Sequence, residues 1–250
     1  MVAATPVIGE QRVILQNISW QCFEYLLHEL GENRAARLAY DRGVLEITSP
    51  FMPHEHVKRL IERFVDTLCD DLDLPIRSAG SLTCKRKDLE RGIEPDSGFY
   101  IQTEPLIRHL EHIDLMRDPP PDLMLEVDFS SSSLNKEPIY LALGVPEVWR
   151  YAKGELTIKQ LRQRRYVQLD HSPTFANLPL TEIPQFLSQS TQIGERAVVR
   201  AFRAGFKTVF RNSHQSINCA AWLKNWRLIP QLIKSVVISV ANASMNITNI

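Results

Sequence analysis

Pro119-Pro120-Pro121-Asp122-Leu123-Met124-Leu125-Glu126-Val127-Asp128-Phe129 is the segment of the 250-residue chain that settles its fold class. Three prolines end whatever precedes them. After them Leu123, Leu125, Val127 and Phe129 fall on one face of a strand, while Asp122, Met124, Glu126 and Asp128 fall on the other. A wholly apolar face entered this abruptly predicts an interior sheet strand rather than an edge. Same-face neighbours on a strand are about 6.6 Å apart, so Glu126 and Asp128 stand within mutual repulsion range. Two arrangements accommodate them: a solvated sheet face, or burial with a cation or proton for neutralisation. A hard, oxygen-seeking ion such as Mg²⁺, which binds through one or two carboxylates, suits the second.

Outward from this strand, Ser130–Ser133 read as a turn. A helix follows over about Asn135–Leu143, with Pro138 in its first turn and Gly144 at its end. Glu147–Tyr151 and Glu155–Leu161 form a hairpin across Lys153-Gly154, and Arg165–Leu169 adds a strand. Upstream, Ser19 caps a helix to Leu30, and Ala36–Tyr40 and Val44–Thr48 make a hairpin around Asp41-Arg42-Gly43. Val57, Leu60, Ile61, Phe64, Val65, Leu68 and Leu72 recur at helical spacing over about His54–Leu72. Pro75–Arg86 reads as extended, and so does Gly98–Gln102 after the turn Glu94-Pro95-Asp96-Ser97. Strands interleaved with helices predict an α/β or α+β fold, a mixed sheet flanked by helices, in one domain.

Composition narrows the class. With 29 Lys+Arg against 29 Asp+Glu and 44% hydrophobic residues, a disordered tail, a collagenous repeat and a disulfide scaffold are all excluded. The four cysteines lie far apart without a CxxC, which points to a reducing compartment. No basic leader precedes an apolar run, and the apolar stretch near Leu228–Val240 is broken by Pro230, Gln231 and Lys234. A soluble, cytoplasmic protein with no membrane segment is expected. The balance of charge is uneven. Glu195 is the last acid, and Arg196, Arg200, Arg203, Lys207, Arg211, Lys224, Arg227 and Lys234 follow it unopposed. On the projection of a last helix over about Thr191–Val209, Arg196, Arg200, Arg203 and Lys207, with Arg211 just beyond it, fall in one stripe opposite Val198, Phe202, Gly205 and Val209. The stripe is either a phosphate-facing ridge or a solvated polar face.

Three ordered motifs carry a resemblance. Gly92-Ile93-Glu94-Pro95-Asp96-Ser97-Gly98-Phe99-Tyr100-Ile101, Pro119 through Asp128, and Tyr140-Leu141-Ala142-Leu143-Gly144-Val145-Pro146-Glu147-Val148-Trp149 resemble the Uma2 family of endonucleases (DUF820), common in cyanobacteria. The likeness runs more loosely from Ser19 to Arg203. The family is placed in the PD-(D/E)xK restriction-endonuclease-like superfamily. The resemblance therefore implies a mixed sheet flanked by helices and Mg²⁺-dependent hydrolysis of DNA, with Mn²⁺ as a substitute ion.

Carried over residue by residue, the resemblance makes Asp96 the first metal-binding acid and Glu126 the second. Asp128 occupies the position where the superfamily motif has lysine, assisting directly or through water. Lys136, four residues before Tyr140, stands where the family's displaced lysine falls. Asp122 is about 13 Å from Glu126 along the strand, too far to share one ion. His54-Glu55 resembles a pair at the start of the family's first long helix; helical projection puts His54 near the apolar face, as a core or capping residue, and Glu55 outside it. The implied organisation is an extension over 1–18, the nuclease domain over 19–211 and a basic, poorly ordered tail over 212–250. Action as a homodimer accords with the superfamily.

Two other functions fit the same residues. One is a catalytically silent DNA-binding or accessory module on this fold. The other is a transition-metal hydrolase built on His54-x-His56 and His109-x-x-His112, spacings that recur by chance. An acidic body needs a local basic surface to meet DNA. Lys85-Arg86-Lys87, Arg162-Arg164-Arg165 and the last helix are the candidates.

Overall fold

The computed structural model describes residues 11–31, 36–129, 134–175, 178 and 180–213. In chain order the elements are β1 (Gln11–Leu15), α1 (Trp20–Leu30), β2 (Arg37–Asp41), β3 (Val44–Ser49), α2 (Met52–Leu72), β4 (Arg77–Gly80), β5 (Cys84–Arg86), β6 (Arg91–Ile93), β7 (Ser97–Tyr100) and α3 (Glu104–Ile107). There follow β8 (Leu123–Asp128), α4 (Glu137–Leu143), β9 (Glu147–Ala152), β10 (Glu155–Arg162), β11 (Arg165–Leu169), α5 (Ile183–Ile193) and α6 (Glu195–Ser213).

The acidic strand is interior, as its pattern predicts. β8 lies within a six-stranded sheet of order β11-β10-β9-β8-β7-β4, and all six of its residues are buried. It pairs antiparallel with β7 and parallel with β9, which makes this sheet mixed. A parallel pair needs a crossover, and α4 supplies it. Pro138 sits in the first turn of α4, where its missing N–H costs nothing. Gly144 ends the helix in the left-handed conformation, φ 76°, its N–H returned to the carbonyls of Tyr140 and Leu141. Phe129 departs from the pattern. It lies just past the end of β8 and is 45% exposed, its ring edge-on to Phe51 at 5.4 Å.

The two faces of β8 are covered differently. Ser97 pairs with Leu125, so their side chains share a face, and the Ser97 hydroxyl donates to Glu62 of α2 at 2.9 Å. α2 therefore covers the apolar face, burying Leu60, Ile61, Phe64, Val65 and Leu68. On the other face Met124 and Val148 join Ile139, Tyr140 and Leu143 of α4, together with Ala39, Cys84 and Ile93 from a second sheet. Met52 opens α2 two residues ahead of the expected start, which puts His54 inside its first turn.

That second sheet is antiparallel and five-stranded, of order β1-β3-β2-β6-β5. α1 lies on it, with Trp20 and Phe23 packed against Leu38, Tyr40 and Leu45. The Phe23 and Tyr40 rings stack at 4.9 Å. Gly92 makes this approach feasible, since a Cβ there would come within 2.7 Å of the Phe23 ring. Burying such a ring contributes about 1.5–3 kcal/mol, so Gly92→Ala would undo part of the packing.

Three sequence expectations change. The extended run 75–86 divides into β4, at one end of the six-stranded sheet, and β5, at one end of the five-stranded sheet. Residues 11–15 of the expected N-terminal extension form β1, paired with β3 along its whole length. Val13 and Leu15 of β1 are 53% and 37% exposed, so no buried apolar face announces the strand. The single late helix is two helices, broken at Gly194.

The chain divides into two compact units after Gln185, inside the span expected as one domain. The second is described from Phe186 to Ser213, where the Phe186 and Phe202 rings meet edge-on at 5.5 Å. Val198 and Phe202 are buried and Arg196, Arg200 and Lys207 are exposed, in line with the helical projection, whereas Arg203 of the same stripe is half-buried. The tail beyond Ser213 lies outside the described residues, as does Cys219. Cys22, Cys69 and Cys84 are free thiols. No described helix is long and apolar enough to cross a membrane.

Candidate active site

Sheet register brings Asp96 and Glu126 together. Phe99, Gly98 and Ser97 of β7 pair with Leu123, Met124 and Leu125 of β8. One further step sets Asp96 opposite Glu126, and opposed side chains have Cβ atoms about 4.5–5.5 Å apart. The Val127 N–H donates to Asp96 Oδ2 at 2.6 Å, tying the two segments at that step. Both acids are buried, at 5% and 3% exposure.

α4 brings two partners to Glu126. Lys136, at the mouth of the helix, donates from Nζ to Glu126 Oε2 at 2.6 Å. Tyr140, one turn further and so on the same helix face, donates its hydroxyl to Glu126 Oε1. Asp96 draws its partners from the other sheet and from α2. Arg37 of β2 donates to Oδ1 from Nη1, and His54 Nε2 lies 3.2 Å from Oδ2. Arg37 also donates from Nη2 to Glu55 Oε1 at 3.0 Å.

The two acids titrate in opposite directions. Burial, reinforced by the charges of Asp96 and Asp128, outweighs the pull of Lys136 and pushes Glu126 up to about 7. Burial acts on Asp96 too, but the hydrogen bond with His54 and the charges of Arg37 and Lys136 overcome it and hold Asp96 at about 2. Burial alone would lower Lys136; Glu126, Asp96 and Asp128 together keep it above its ordinary value. Lys136 is therefore held as an ammonium, while Glu126 lies above the ordinary carboxylate range. Burial and the adjacent Glu126 raise the Tyr140 hydroxyl well above its ordinary value, so it remains a donor.

The Uma2 family, described as "Putative restriction endonuclease", matches over residues 22–191, a span that contains all of these groups. The chain belongs to the Uma2 family. No curated protein matches it. Among solved structures it is similar to "a putative nuclease belonging to DUF820 from Anabaena variabilis ATCC 29413", at 14% identity and a TM-score of 0.45, covering 68% of this chain and 99% of that one.

Asp128, the third acid expected at the site, lines the same hollow as Glu126 but is held by two arginines. Arg12 of β1 donates to Oδ1 at 2.9 Å and Arg150 of β9 to Oδ2 at 2.7 Å. Arg12 also reaches Glu46 Oε1 at 3.4 Å. Asp122 does not join the site. Its Oδ2 accepts from the backbone of Ile101 and Thr103 and from the Thr103 hydroxyl, at 2.7, 3.0 and 2.9 Å, fixing the loop into α3. His109 and His112 are exposed, and His54 is buried against Asp96. Among the described residues no group of three or more His, Cys, Asp or Glu side chains is placed to hold a metal ion.

Two hollows flank the acid pair. The smaller, about 300 Å³, is lined by Glu126, Asp128, Lys136, Tyr140, Arg150 and Lys159. The larger, about 850 Å³, includes Arg37, Glu55, Arg77, Thr83, Glu94 and His112. The smaller one reaches Glu126, Lys136 and Tyr140 but is not lined by Asp96, whereas the larger meets the site only through Arg37 and its partner Glu55.

The donors present fit a divalent cation. Asp96 and Glu126 offer adjacent hard oxygens, and burial is the main reason that the charged form of Glu126 is disfavoured. A carboxylate has roughly four acceptor sites. Asp96 uses three, for Arg37, His54 and Val127, and Glu126 uses two, for Lys136 and Tyr140. Sequence reasoning did not reach Arg37 or Tyr140 as site residues, and read His54 as core. Tyr140 had a usable signal in its i+4 spacing from Lys136; Arg37, on a strand of the other sheet, had none.

Proposed function

We propose that this Uma2 protein is an endonuclease that hydrolyses DNA phosphodiester bonds with Mg²⁺, for which Mn²⁺ substitutes. The juxtaposition of Asp96 and Glu126 across β7 and β8, with the Lys136 ammonium on Glu126, carries the proposal. Asp96 and Glu126 hold the cation, which when bound supplies Lewis-acid stabilisation of the charge developing on the phosphate oxygens. Tyr140 and Lys136 fix the Glu126 carboxylate. Lys136 keeps its proton, orients the attacking water and stabilises the pentacovalent phosphate electrostatically. The water oxygen bonds to phosphorus as the opposite P–O bond breaks; the water gives up a proton to solvent and the departing alkoxide takes one from solvent, leaving a phosphate monoester and an alcohol. Asp128 acts as the anchor of Arg12 and Arg150 rather than as a third ligand.

DNA meets the protein through phosphate contacts. At the β10–β11 turn Arg162, Arg164 and Arg165 are all exposed. Lys85 and Arg86 are less available, being paired with Glu24 and Asp88 at 2.6 Å. Asp96→Asn and Glu126→Gln are expected to lose Mg²⁺-dependent nicking of supercoiled plasmid by about 1000-fold or more, with far-UV circular dichroism unchanged. Undiminished nicking by both variants would refute the assignment.

One observation favours a second reading, a DNA-binding module without turnover. Asp128 stands where the superfamily motif has lysine, and it is committed to two arginines. That reading requires gel shifts with DNA and no product at any Mg²⁺ or Mn²⁺ concentration.

A further inference from the structure

Arg37 is shared between two carboxylates of different exposure. Its Nη1 donates to Asp96, whose side chain is 6% exposed, and its Nη2 to Glu55 at 3.0 Å, whose side chain is 41% exposed. The planar guanidinium fork suits this double engagement. Arg37 and Glu55 both line the 850 Å³ hollow, so the guanidinium has open space on the Glu55 side.

Charge and lone-pair accounting single out this contact. The buried acids Asp96 and Glu126 already face two protein cations, Arg37 and Lys136. A divalent ion brought to the same two carboxylates creates a surplus of positive charge, which one of the protein cations must relieve. Lys136 is anchored on Glu126, with Asp96 and Asp128 also holding its charge. Arg37 has Glu55 as a second counter-charge. It also occupies Oδ1, whereas His54 and the Val127 N–H take Oδ2.

We infer that Arg37 is an internal counter-ion that competes with a divalent cation for Asp96 and withdraws to Glu55 when that cation is bound. The inference rests on the cation reading of Asp96 and Glu126 proposed above. Arg37 is thus a positioning residue. It holds the Asp96 carboxylate in place beside Glu126, and it sets the cation concentration at which the site fills.

The test is Mn²⁺ affinity measured by titration calorimetry on the full chain, without DNA and without turnover. Arg37→Gln is expected to bind Mn²⁺ at least about fivefold more tightly than the parent, within the usual range of coupling between two contacts. Glu55→Gln removes the refuge and is expected to weaken Mn²⁺ binding in the parent, but to change it little when Arg37 is already Gln. That double-mutant cycle separates exchange from the mere presence of charge, which would make Glu55→Gln weaken both backgrounds alike. Arg37→Lys, which keeps the charge but loses the fork, is expected to fall between parent and Arg37→Gln. If Arg37→Gln binds no tighter, or Glu55→Gln acts equally in both backgrounds, the inference is overturned while the cation site stands. If none of the proteins binds Mn²⁺, the cation site falls and the inference falls with it.

Discussion

Asp96 and Glu126 are the same kind of group, one strand apart and both nearly inaccessible to water, yet one is held at about 2 and the other at about 7. Burial raises both. The difference comes from the partners. Asp96 meets a guanidinium, a histidine and a backbone N–H, whereas Glu126 meets one ammonium, a phenol and the charges of two neighbouring acids. The β7 side of the site is over-supplied with donors and the β8 side is short of them. A cation placed between the two would meet fewer competing donors at Glu126, and would reach Asp96 only by competing with what already holds it.

Removing the ammonium from the poorer side gives the largest expected effect. Lys136→Met leaves Glu126 buried without its cation, and breaking a buried pair by deleting one partner costs about 3–5 kcal/mol. Urea denaturation at pH 8, where Glu126 is ionised, reads that loss directly. Nicking is expected to fall about 100- to 1000-fold, the usual consequence of losing one electrostatic stabiliser of the transition state. A folded Lys136→Met protein of parental stability would show that Glu126 is neutral or solvated, and the contrast between the two acids would vanish.

The contrast also dictates two opposite pH dependences. The folded pKa of Glu126 lies above its ordinary 4.5, so its contribution to stability is fully present below pH 4.5 and is lost as pH rises through about 7. The folded pKa of Asp96 lies below its ordinary 3.8, so its contribution is present above pH 3.8 and is lost as pH falls through about 2. Between pH 4.5 and 7.5 the parent is expected to lose stability on the order of 3 kcal/mol more than Glu126→Gln does. Asp96→Asn removes one of the charges that raise Glu126, so it should shrink that decline and also flatten the acid limb. Parallel curves for the parent and Glu126→Gln, measured by urea denaturation across this range, would contradict the elevated pKa.

The sequence reveals one side of the site better than the other, for physical reasons. Period-2 alternation makes β8 readable as an interior strand, and Lys136 and Tyr140 fall on one helix face at i and i+4. The neighbouring position of Asp96 depends on the β7–β8 register, which no local pattern encodes; the family resemblance, not periodicity, picks Asp96 out. Nothing local singles out Arg37, because its partners come from α2 and from the entry to β7, remote in sequence. His54 projects toward the apolar face and is indeed buried, but the group it meets there is a carboxylate. The second sheet was hidden for a related reason. β5 and β6 are three residues each, too short to show any period, and β1 carries its apolar side chains partly in water.

Asp128 gives the smallest effect and a clean internal control. It is held by two arginines of unequal exposure: the Arg12 side chain is 9% exposed and the Arg150 side chain 49%. An acid two positions after another acid looks the same in sequence whether it binds a metal or an arginine. Here the deciding partner, Arg12, arrives from β1 at the far end of the chain. Arg12→Met removes a buried cation shared by Asp128 and Glu46, and it is expected to cost about 3 kcal/mol. Arg150→Met removes a half-exposed one, for which solvent screening limits the loss to below about 1 kcal/mol. Chemical denaturation of the two variants side by side measures the ratio. If Asp128 instead ligates a cation, both variants free it for that role, and Mn²⁺ affinity rises in each. If it is only an anchor, Mn²⁺ affinity changes only through the charge that Asp128 already exerts on Glu126, while stability drops unequally, because neither Asp96 nor Glu126 takes a hydrogen bond from those two arginines.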